Sequence, residues 1–196
     1  SIPSGISGAT ANGTNTILAQ TLFNTTNANL IVTYTATATL SGGVPCAGAQ
    51  FVYTITVKPK PNVATNLAAT ICSGTSFSEI PENGNGNDIP AGTTYTWGIP
   101  IISPLGVITG ATAQNNAQTA IGQLLTNTSN STATATYTVI PHSNGCSGMP
   151  FDVVVTVNPK PDVNTTSNVE LCNGEASTQI DFTGNVLGTT YSWLSN

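Results

Sequence analysis

Apolar and polar side chains alternate along several stretches of this chain. In Phe51–Val57 every odd position is aromatic or aliphatic, and Thr54 and Thr56 point the other way. Val32–Leu40 and Ala133–Val139 repeat this pattern, with threonine on the opposite face. A period of two predicts half-buried β-strands, and β-branched threonine suits the solvated face of a strand. Further strands are predicted at Thr93–Trp97, Phe151–Val157 and Phe77–Ile80, and one short helical turn at Gln118–Leu125.

The chain also repeats itself at an interval of 100 residues. Cys46–Val63 returns as Cys146–Val163, and two shorter motifs return in the same order: Ile71–Gly74 as Leu171–Gly174, and Gly92–Trp97 as Gly188–Trp193. A fixed period of this kind indicates an array of similar units.

Pro-rich knots at Lys58–Pro61 and Asn158–Pro161 suggest the boundaries of these units. They predict the C-terminal part of one repeat at 1–63 (the first copy), a complete repeat at 64–163 (the second copy) and the N-terminal part of the next at 164–196 (the third segment). The alternative frame divides the chain into permuted units at 1–98 and 99–196. Either frame leads us to expect a piece of a longer protein.

The fold class predicted is all-β, with tandem antiparallel β-sandwich repeats of the immunoglobulin-like type, each of about 100 residues. Short strands, frequent turns and one tryptophan per repeat are typical of this architecture. The predicted core residues are aromatic, because one aromatic residue recurs on a central strand and another on a late strand: Trp97, Trp193, Tyr34 and Tyr137.

Charged residues make up only 6% of the chain, and the net charge is −5. Three basic residues cannot neutralise a nucleic-acid backbone, and a negative protein is repelled by anionic lipid. We therefore expect no nucleic-acid partner and no membrane insertion. A surface of uncharged polar residues suits an exposed position outside the cell.

The four cysteines, two per repeat, predict disulfides and an oxidising compartment. Pairing Cys46–Cys72 and Cys146–Cys172 is favoured, because these cysteines lie symmetrically about Pro59 and Pro159. If the chain folds back at each knot, the last strand of one repeat lies antiparallel to the first strand of the next. Pairing Cys72–Cys146, within one repeat, stays open.

No catalytic constellation is evident. His142 is the only histidine, and the hairpin sequence around it indicates a solvated turn residue. The eight acidic residues are thinly spread, so no carboxylate pair is singled out. We expect no enzymatic activity, no catalytic residues and no cofactor.

One loop is a candidate calcium ligand set. Alternating oxygen-bearing side chains on a Gly-rich segment suit a cation that takes six to eight oxygens. An ordinary surface loop is the favoured interpretation, since the segment has only two carboxylates. The candidate residues are Glu82, Asn83, Asn85, Asn87 and Asp88.

The run Ala135–Val163, with the motifs at Ile71–Gly74 and Gly92–Trp97, resembles the PKD-like, immunoglobulin-like repeats of giant surface proteins from Bacteroidetes-type bacteria. SprB-type gliding-motility adhesins, which are carried by the type 9 secretion system, contain such repeats. The resemblance covers essentially the whole chain in repeat-sized pieces. It implies a secreted filament or stalk with a role in adhesion or gliding, and it supplies no catalytic residues.

The function predicted is therefore that of a non-enzymatic structural or adhesive segment of a cell-surface filament. Its expected partners are neighbouring repeats of the same chain and a surface polysaccharide or substratum. The alternatives are a carbohydrate- or calcium-dependent binding module and a spacer in a secreted hydrolase.

Overall fold

A computed structural model describes residues 1–40, Gly42 and residues 46–195. The described chain contains fourteen β-strands and no helix. The strands are β1 Ile6–Ser7, β2 Phe23–Asn24, β3 Leu30–Leu40, β4 Cys46–Val57, β5 Leu67–Cys72, β6 Thr75–Ser76, β7 Thr94–Trp97, β8 Ile101–Ser103, β9 Ile108–Thr109, β10 Gln114–Gln118, β11 Leu124–Asn127, β12 Ala133–Ser143, β13 Cys146–Ser147 and β14 Phe151–Asn158. The sequence also predicts a turn at Leu40–Pro45, which lies largely outside the described residues.

The all-β prediction is confirmed, and the strongest alternating patterns coincide with the longest strands. Two details differ. The helical turn expected at Gln118–Leu125 is wrong, because this segment joins β10 to β11 through an extended stretch. The strand expected at Phe77–Ile80 is reduced to one bridge, between Glu79 and Ile121.

The strands form four sheets. The largest has seven strands in the order β10-β7-β12-β14-β5, with β8 and β13 also paired to β12. The others have the orders β6-β11-β9, β1-β2 and β3-β4. β5 runs parallel to β14, from Leu67 opposite Val153 to Cys72 opposite Asn158.

The chain divides into two compact units. Unit 1 comprises Ser1–Thr65, Pro81–Thr96 and Ile140–Phe151, and unit 2 comprises Asn66–Ile80, Trp97–Val139 and Asp152–Asn196. The boundaries predicted from the proline knots remain a prediction.

Unit 2 holds a densely buried core. Alternate residues of β12 and β14 face inward, and the three inward valines of the latter (Val153, Val155 and Val157) are fully buried. Phe77, beside β6, packs against Tyr137 of β12 with ring centroids 5.2 Å apart. Leu125 of β11 is also fully buried. Two sheet layers therefore close on one apolar interior, as in a β-sandwich.

Unit 1 contains the long β3–β4 hairpin, in which Tyr34 lies opposite Tyr53. Much of its apolar surface is exposed: 67% for Phe51 and 49% for Tyr53. The residues one repeat later, Phe151 and Val153, are 5% and 0% exposed. The same sequence pattern is therefore covered in the second copy and open in the first.

The four predicted core aromatics fall into three environments. Trp97 and Tyr137 are 3% and 0% exposed, and Tyr34 is half-buried. Trp193 departs from the prediction, since 76% of its surface is exposed. The described part of the third segment carries no strand, so no sheet places Trp193 against a core.

Candidate functional site

A hydrogen-bonded network joins the aromatic core of unit 2 to a neighbouring loop. The Tyr137 hydroxyl donates to Gln123 Oε1 at 3.0 Å, and Gln123 Nε2 donates to the Thr112 carbonyl at 3.0 Å. Trp97 Nε1 donates to that carbonyl as well, at 3.0 Å. The Trp97 ring meets Tyr137 edge to face, with centroids 6.1 Å apart. We call these four residues the Tyr–Gln network.

Burial by the surrounding core raises the pKa of Tyr137 far above its ordinary value, so the phenol stays neutral and donates. In the described residues every buried side-chain nitrogen or oxygen has a hydrogen-bond partner. The polar groups of the network therefore stabilise the core instead of weakening it.

The first copy contains the tyrosine–glutamine–threonine part of this network, without a tryptophan. Tyr34 Oη donates to Gln20 Oε1 at 2.8 Å, and the Thr10 backbone N–H donates to that oxygen at 2.9 Å. In the second copy the Thr112 N–H donates to Gln123 Oε1 at 3.0 Å. The duplication therefore extends from sequence to individual hydrogen bonds.

One asparagine organises a turn in each copy; Asn127 is buried and Asn24 is half-buried. Asn127 Nδ2 donates to the Ser131 and Val157 carbonyls, and Asn127 Oδ1 accepts from the N–H and hydroxyl of Ser129, all at 2.8–2.9 Å. Asn24 makes the same four bonds one repeat earlier, two as donor to Ala28 and Val57 and two as acceptor from Thr26. Each asparagine thereby ties a turn to the last strand of its copy.

The first proline knot is packed into unit 1. Pro59 and Pro61 are fully buried, and the Lys58 ammonium donates to the Asn144 carbonyl at 2.9 Å. Asn62 and Asp88 exchange backbone hydrogen bonds, each of 2.8 Å. We call the contacts of 58–64 with 82–89 and 144–148 the junction.

The calcium-candidate loop supplies one side of the junction. Asn87 Oδ1 accepts from the Ala64 N–H at 2.8 Å. Asn83 Oδ1 accepts from the Ile89 N–H and from Asn27 Nδ2, each at 2.8 Å. Two of the oxygens proposed as calcium ligands are thus engaged by N–H donors. No group of three or more His, Cys, Asp or Glu side chains placed to hold a metal occurs in the described residues.

The second knot is followed by a smaller contact. The Asp162 carboxylate accepts from the Asn185 N–H at 2.7 Å and from its side-chain amide at 2.5 Å. The backbone N–H of Asn185 lowers the pKa of Asp162. The backbone of Asn164 also donates to the Thr183 carbonyl at 2.8 Å.

Cys46, Cys72 and Cys146 lie at the ends of strands β4, β5 and β13, and Cys172 lies in the third segment, whose described part carries no strand. Cys46, Cys72 and Cys172 are exposed, and Cys146 is half-buried. β4 pairs with β3, and β5 pairs with β14. The β4–β5 pairing assumed in the folding-back argument is therefore not among the strand pairings of the described chain. The disulfide pairing itself remains a prediction.

His142 lies in strand β12, where the sequence suggested a solvated turn. Its ring is half-buried, with Nε2 2.8 Å from Thr96 Oγ1 and Nδ1 2.9 Å from Ser147 Oγ. The Asp152 carboxylate accepts a hydrogen bond from the Thr138 hydroxyl at 2.9 Å. The ring therefore links strands β7, β12 and β13 through hydroxyl groups.

Sequence reasoning missed the roles of the two glutamines and the two asparagines. Their positions match between the copies, but a match alone does not identify a hydrogen-bond partner in another strand. The signal was the recurrence of a polar residue at the same place in both repeats: Gln20 with Gln123, and Asn24 with Asn127.

The comparison with protein families agrees with the duplicated geometry. The model of the PKD-like domain matches residues 3–61 and 69–161. The chain belongs to this family. PKD-like domains are typically non-catalytic modules of extracellular proteins. A search of curated proteins finds no significant match. Among the described residues no helix has the length and apolar character needed to span a membrane.

Proposed function

We propose that this PKD-like chain is a mechanical spacer within a long adhesive filament on the outer surface of a bacterial cell. In this proposal the filament is a secreted gliding or attachment adhesin, exported by the type 9 system. The repeats transmit force from a distal binding region to the cell. The proposed function involves no chemical reaction and therefore no catalytic residue.

The junction is the observation that carries this proposal. A flexible linker would leave its proline knot solvated, whereas Pro59 and Pro61 are fully buried. Backbone bonds between Asn62 and Asp88 and the side chain of Asn87 hold the loop against the chain that leaves the knot. Proline fixes φ, so the buried knot has little freedom to bend.

The tyrosine–glutamine hydrogen bond of the network supports the same function, because it is formed separately in each copy. A force-bearing array benefits when each unit keeps its own polar contacts and does not depend on a distant copy. Disulfides Cys46–Cys72 and Cys146–Cys172 are part of the proposal, as covalent links across successive knots. Each would add about 2–4 kcal/mol by restricting the unfolded chain.

Electron microscopy of a polypeptide carrying several tandem copies tests the proposal. Under oxidising conditions we expect rods with narrow bending angles. The double substitution Asn83→Ala/Asn87→Ala should broaden the angles, because it removes the oxygen that accepts from Ala64 across the junction and the oxygen that accepts from Ile89 and Asn27 to hold the loop in place. Asn85→Gly, in the same loop, is the matched control, because it keeps the positive φ of 52° accessible.

Reductant should increase bending if the disulfides cross the knots. If electron microscopy shows the unsubstituted protein as freely bending beads both with and without reductant, the spacer function is contradicted. A glycan array with and without calcium separates the carbohydrate-binding alternative, since a spacer gives no signal in either condition.

A further inference from the structure

Gly148 lies where the backbone itself does not require a glycine. It follows strand β13, and its N–H donates to the Pro141 carbonyl at 2.8 Å, which extends the hairpin of β12 and β13. Its φ lies outside the left-handed region, so alanine would fit this backbone and would lose less conformational freedom on folding. A glycine in such a place indicates that another part of the chain approaches closely. We call residues 141–148 of this hairpin the seat.

The part of the chain that approaches Gly148 is the first proline knot. A Cβ added to Gly148 would collide with the Pro61 carbonyl oxygen, which belongs to the backbone of the knot. In the same hairpin the Asn144 carbonyl accepts the Lys58 ammonium at 2.9 Å. The seat therefore contacts the knot at two points, one by the close approach of two backbones and one by a hydrogen bond from a charged group.

The knot has one apolar edge, because alternate residues along it are buried. Pro59 and Pro61 are fully buried and Val63 is 6% exposed, whereas Lys60 is exposed. Proline has no backbone N–H, so a surface that receives this segment needs room for its rings and carbonyls more than it needs hydrogen-bond acceptors. Gly148, which has no side chain, leaves that room at Pro61.

A glycine also meets the chain that leaves the second knot. A Cβ added to Gly184 would collide with the carbonyl oxygen of Asp162, the residue directly after Pro161. The φ of Gly184 also lies outside the left-handed region. Each knot is thus approached by one glycine that its own backbone conformation does not demand.

We infer that Gly148 is the positioning residue of the junction, and that the seat is a recognition surface for an extended Pro-x-Pro segment of the preceding copy. A side chain at residue 148 would push Pro61 outward. The residues after it, Asn62 and Ala64, would then lose their bonds to loop 82–89, whereas the hairpin would keep its own ladder. Gly148 thereby sets the stiffness of the proposed spacer, and this consequence alone rests on the spacer function.

Hydrogen exchange of the whole chain, followed residue by residue by NMR, tests the seat. The amides of Asn62 and Ala64 report on it, because they donate to the Asp88 carbonyl and to Asn87 Oδ1, each at 2.8 Å. Gly148→Ala should accelerate the exchange of both amides by about 10-fold or more, since local opening of the junction becomes easier.

Gly48 provides the matched control, because it occupies the same place in the first copy, two residues after Cys46. A Cβ there would meet only Ala38, at 3.5 Å from its carbonyl oxygen and 3.7 Å from its Cβ, which is ordinary van der Waals contact. Gly48→Ala should therefore leave the exchange of the two junction amides unchanged. Equal acceleration by Gly148→Ala and Gly48→Ala would overturn the inference.

Two further measurements separate positioning from a simple loss of stability. The amides of β14, whose inward valines are fully buried, should exchange as slowly in Gly148→Ala as in the unsubstituted protein. If they accelerate as much as the junction amides do, the copy unfolds as a whole and the positioning role is wrong. Lys58→Met removes the ammonium bond to Asn144 and leaves Gly148 in place. It should accelerate the same two junction amides by a smaller factor, and unchanged exchange in either variant would overturn the inference.

Failure of the seat is distinguishable from failure of the spacer function. If tandem copies bend freely under the electron microscope while Gly148→Ala accelerates exchange in the single chain, the spacer function is wrong and the seat stands. If the rods are stiff while exchange at the junction does not respond to Gly148→Ala, the seat is wrong and the spacer function stands.

Discussion

The hydroxyl of Tyr137 donates to Gln123 Oε1 at 3.0 Å. Tyr137 lies on β12 of the seven-stranded sheet, and Gln123 lies directly before β11 of the three-stranded sheet. The bond ties strand β12 to the segment before β11. Its counterpart in the first copy joins Tyr34 to Gln20 at 2.8 Å. The two bonds lie in different surroundings, since Tyr137 is fully buried and Tyr34 is half-buried, and this difference can be measured.

Tyr137→Phe should lower the free energy of unfolding by about 1 kcal/mol. The substitution keeps the ring contacts with Trp97 and removes only the hydroxyl. Tyr34→Phe is the matched control and should cost less, because water can replace the lost donor at a half-buried site. Urea titrations followed by tryptophan fluorescence measure both. Equal costs would contradict a role for burial in this bond.

Alkaline pH should destabilise the protein through the same tyrosine. Burial raises the pKa of Tyr137 above its ordinary value of 10.0, so the unfolded phenol releases its proton before the folded one does. The stability that Tyr137 contributes to the folded state is fully present below about pH 10 and falls as the pH rises beyond that value. Burial also raises the pKa of Tyr95, which adds to the effect.

Tyr137→Phe should make this alkaline loss shallower, and urea midpoints at several pH values from neutral to strongly alkaline would show it. Tyr53→Phe is the control, since Tyr53 is largely exposed. The same slope in all three proteins would contradict the assignment to Tyr137.

The long strands could be predicted from the sequence because alternation reflects burial on one face of a sheet. β12 and β14 show this most clearly, since their inward residues are buried along their whole length. The Tyr–Gln network could not be predicted in the same way. Gln123 acquires its partner only when two sheets pack, and no local pattern specifies that contact.

Two expectations depend on contacts that a sequence motif does not specify. Asn83 and Asn87 are candidate calcium ligands because amide oxygens on a Gly-rich loop suit a cation, but the same oxygens accept backbone N–H bonds equally well. The motif Gly188–Trp193 alone predicts a core position for Trp193, which is 76% exposed. Burial depends on the strands that cover a residue, and a motif cannot report whether they are present.

Asn127→Ala should lower the free energy of unfolding by about 2–3 kcal/mol, because it leaves the buried Val157 carbonyl without this donor and frees the turn at Ser129. Asn130→Ala, in the same turn but exposed, is the control and should change stability little. Thermal unfolding of the three proteins distinguishes them. A small loss of stability in Asn127→Ala would mean that water forms the hydrogen bonds of the turn in place of the Asn127 side chain.

Calcium should not raise the unfolding temperature. Two of the candidate oxygens already accept hydrogen bonds, so calcium would have to compete with the contacts of Asn83 with Ile89 and of Asn87 with Ala64. A scan of thermal unfolding with millimolar calcium, against magnesium and a chelator, checks this. A rise specific to calcium that is lost in Asp88→Asn would restore the loop as a cation site.

Gly110→Ala tests the close packing of the backbone beside the Tyr–Gln network. Gly110 has a φ of +89°, and an added Cβ would collide with the Leu124 carbonyl. Gly8 faces the Thr21 carbonyl in the same way in the first copy.

Gly106 also has a positive φ, +81°, but open space around it, so Gly106→Ala has only the conformational cost of about 1 kcal/mol. Gly110→Ala should cost about 3 kcal/mol or more, because the two strands must separate. Denaturant titration of both variants measures the difference, and similar values would mean that the backbone relaxes without disturbing the contact between Thr112 and Gln123.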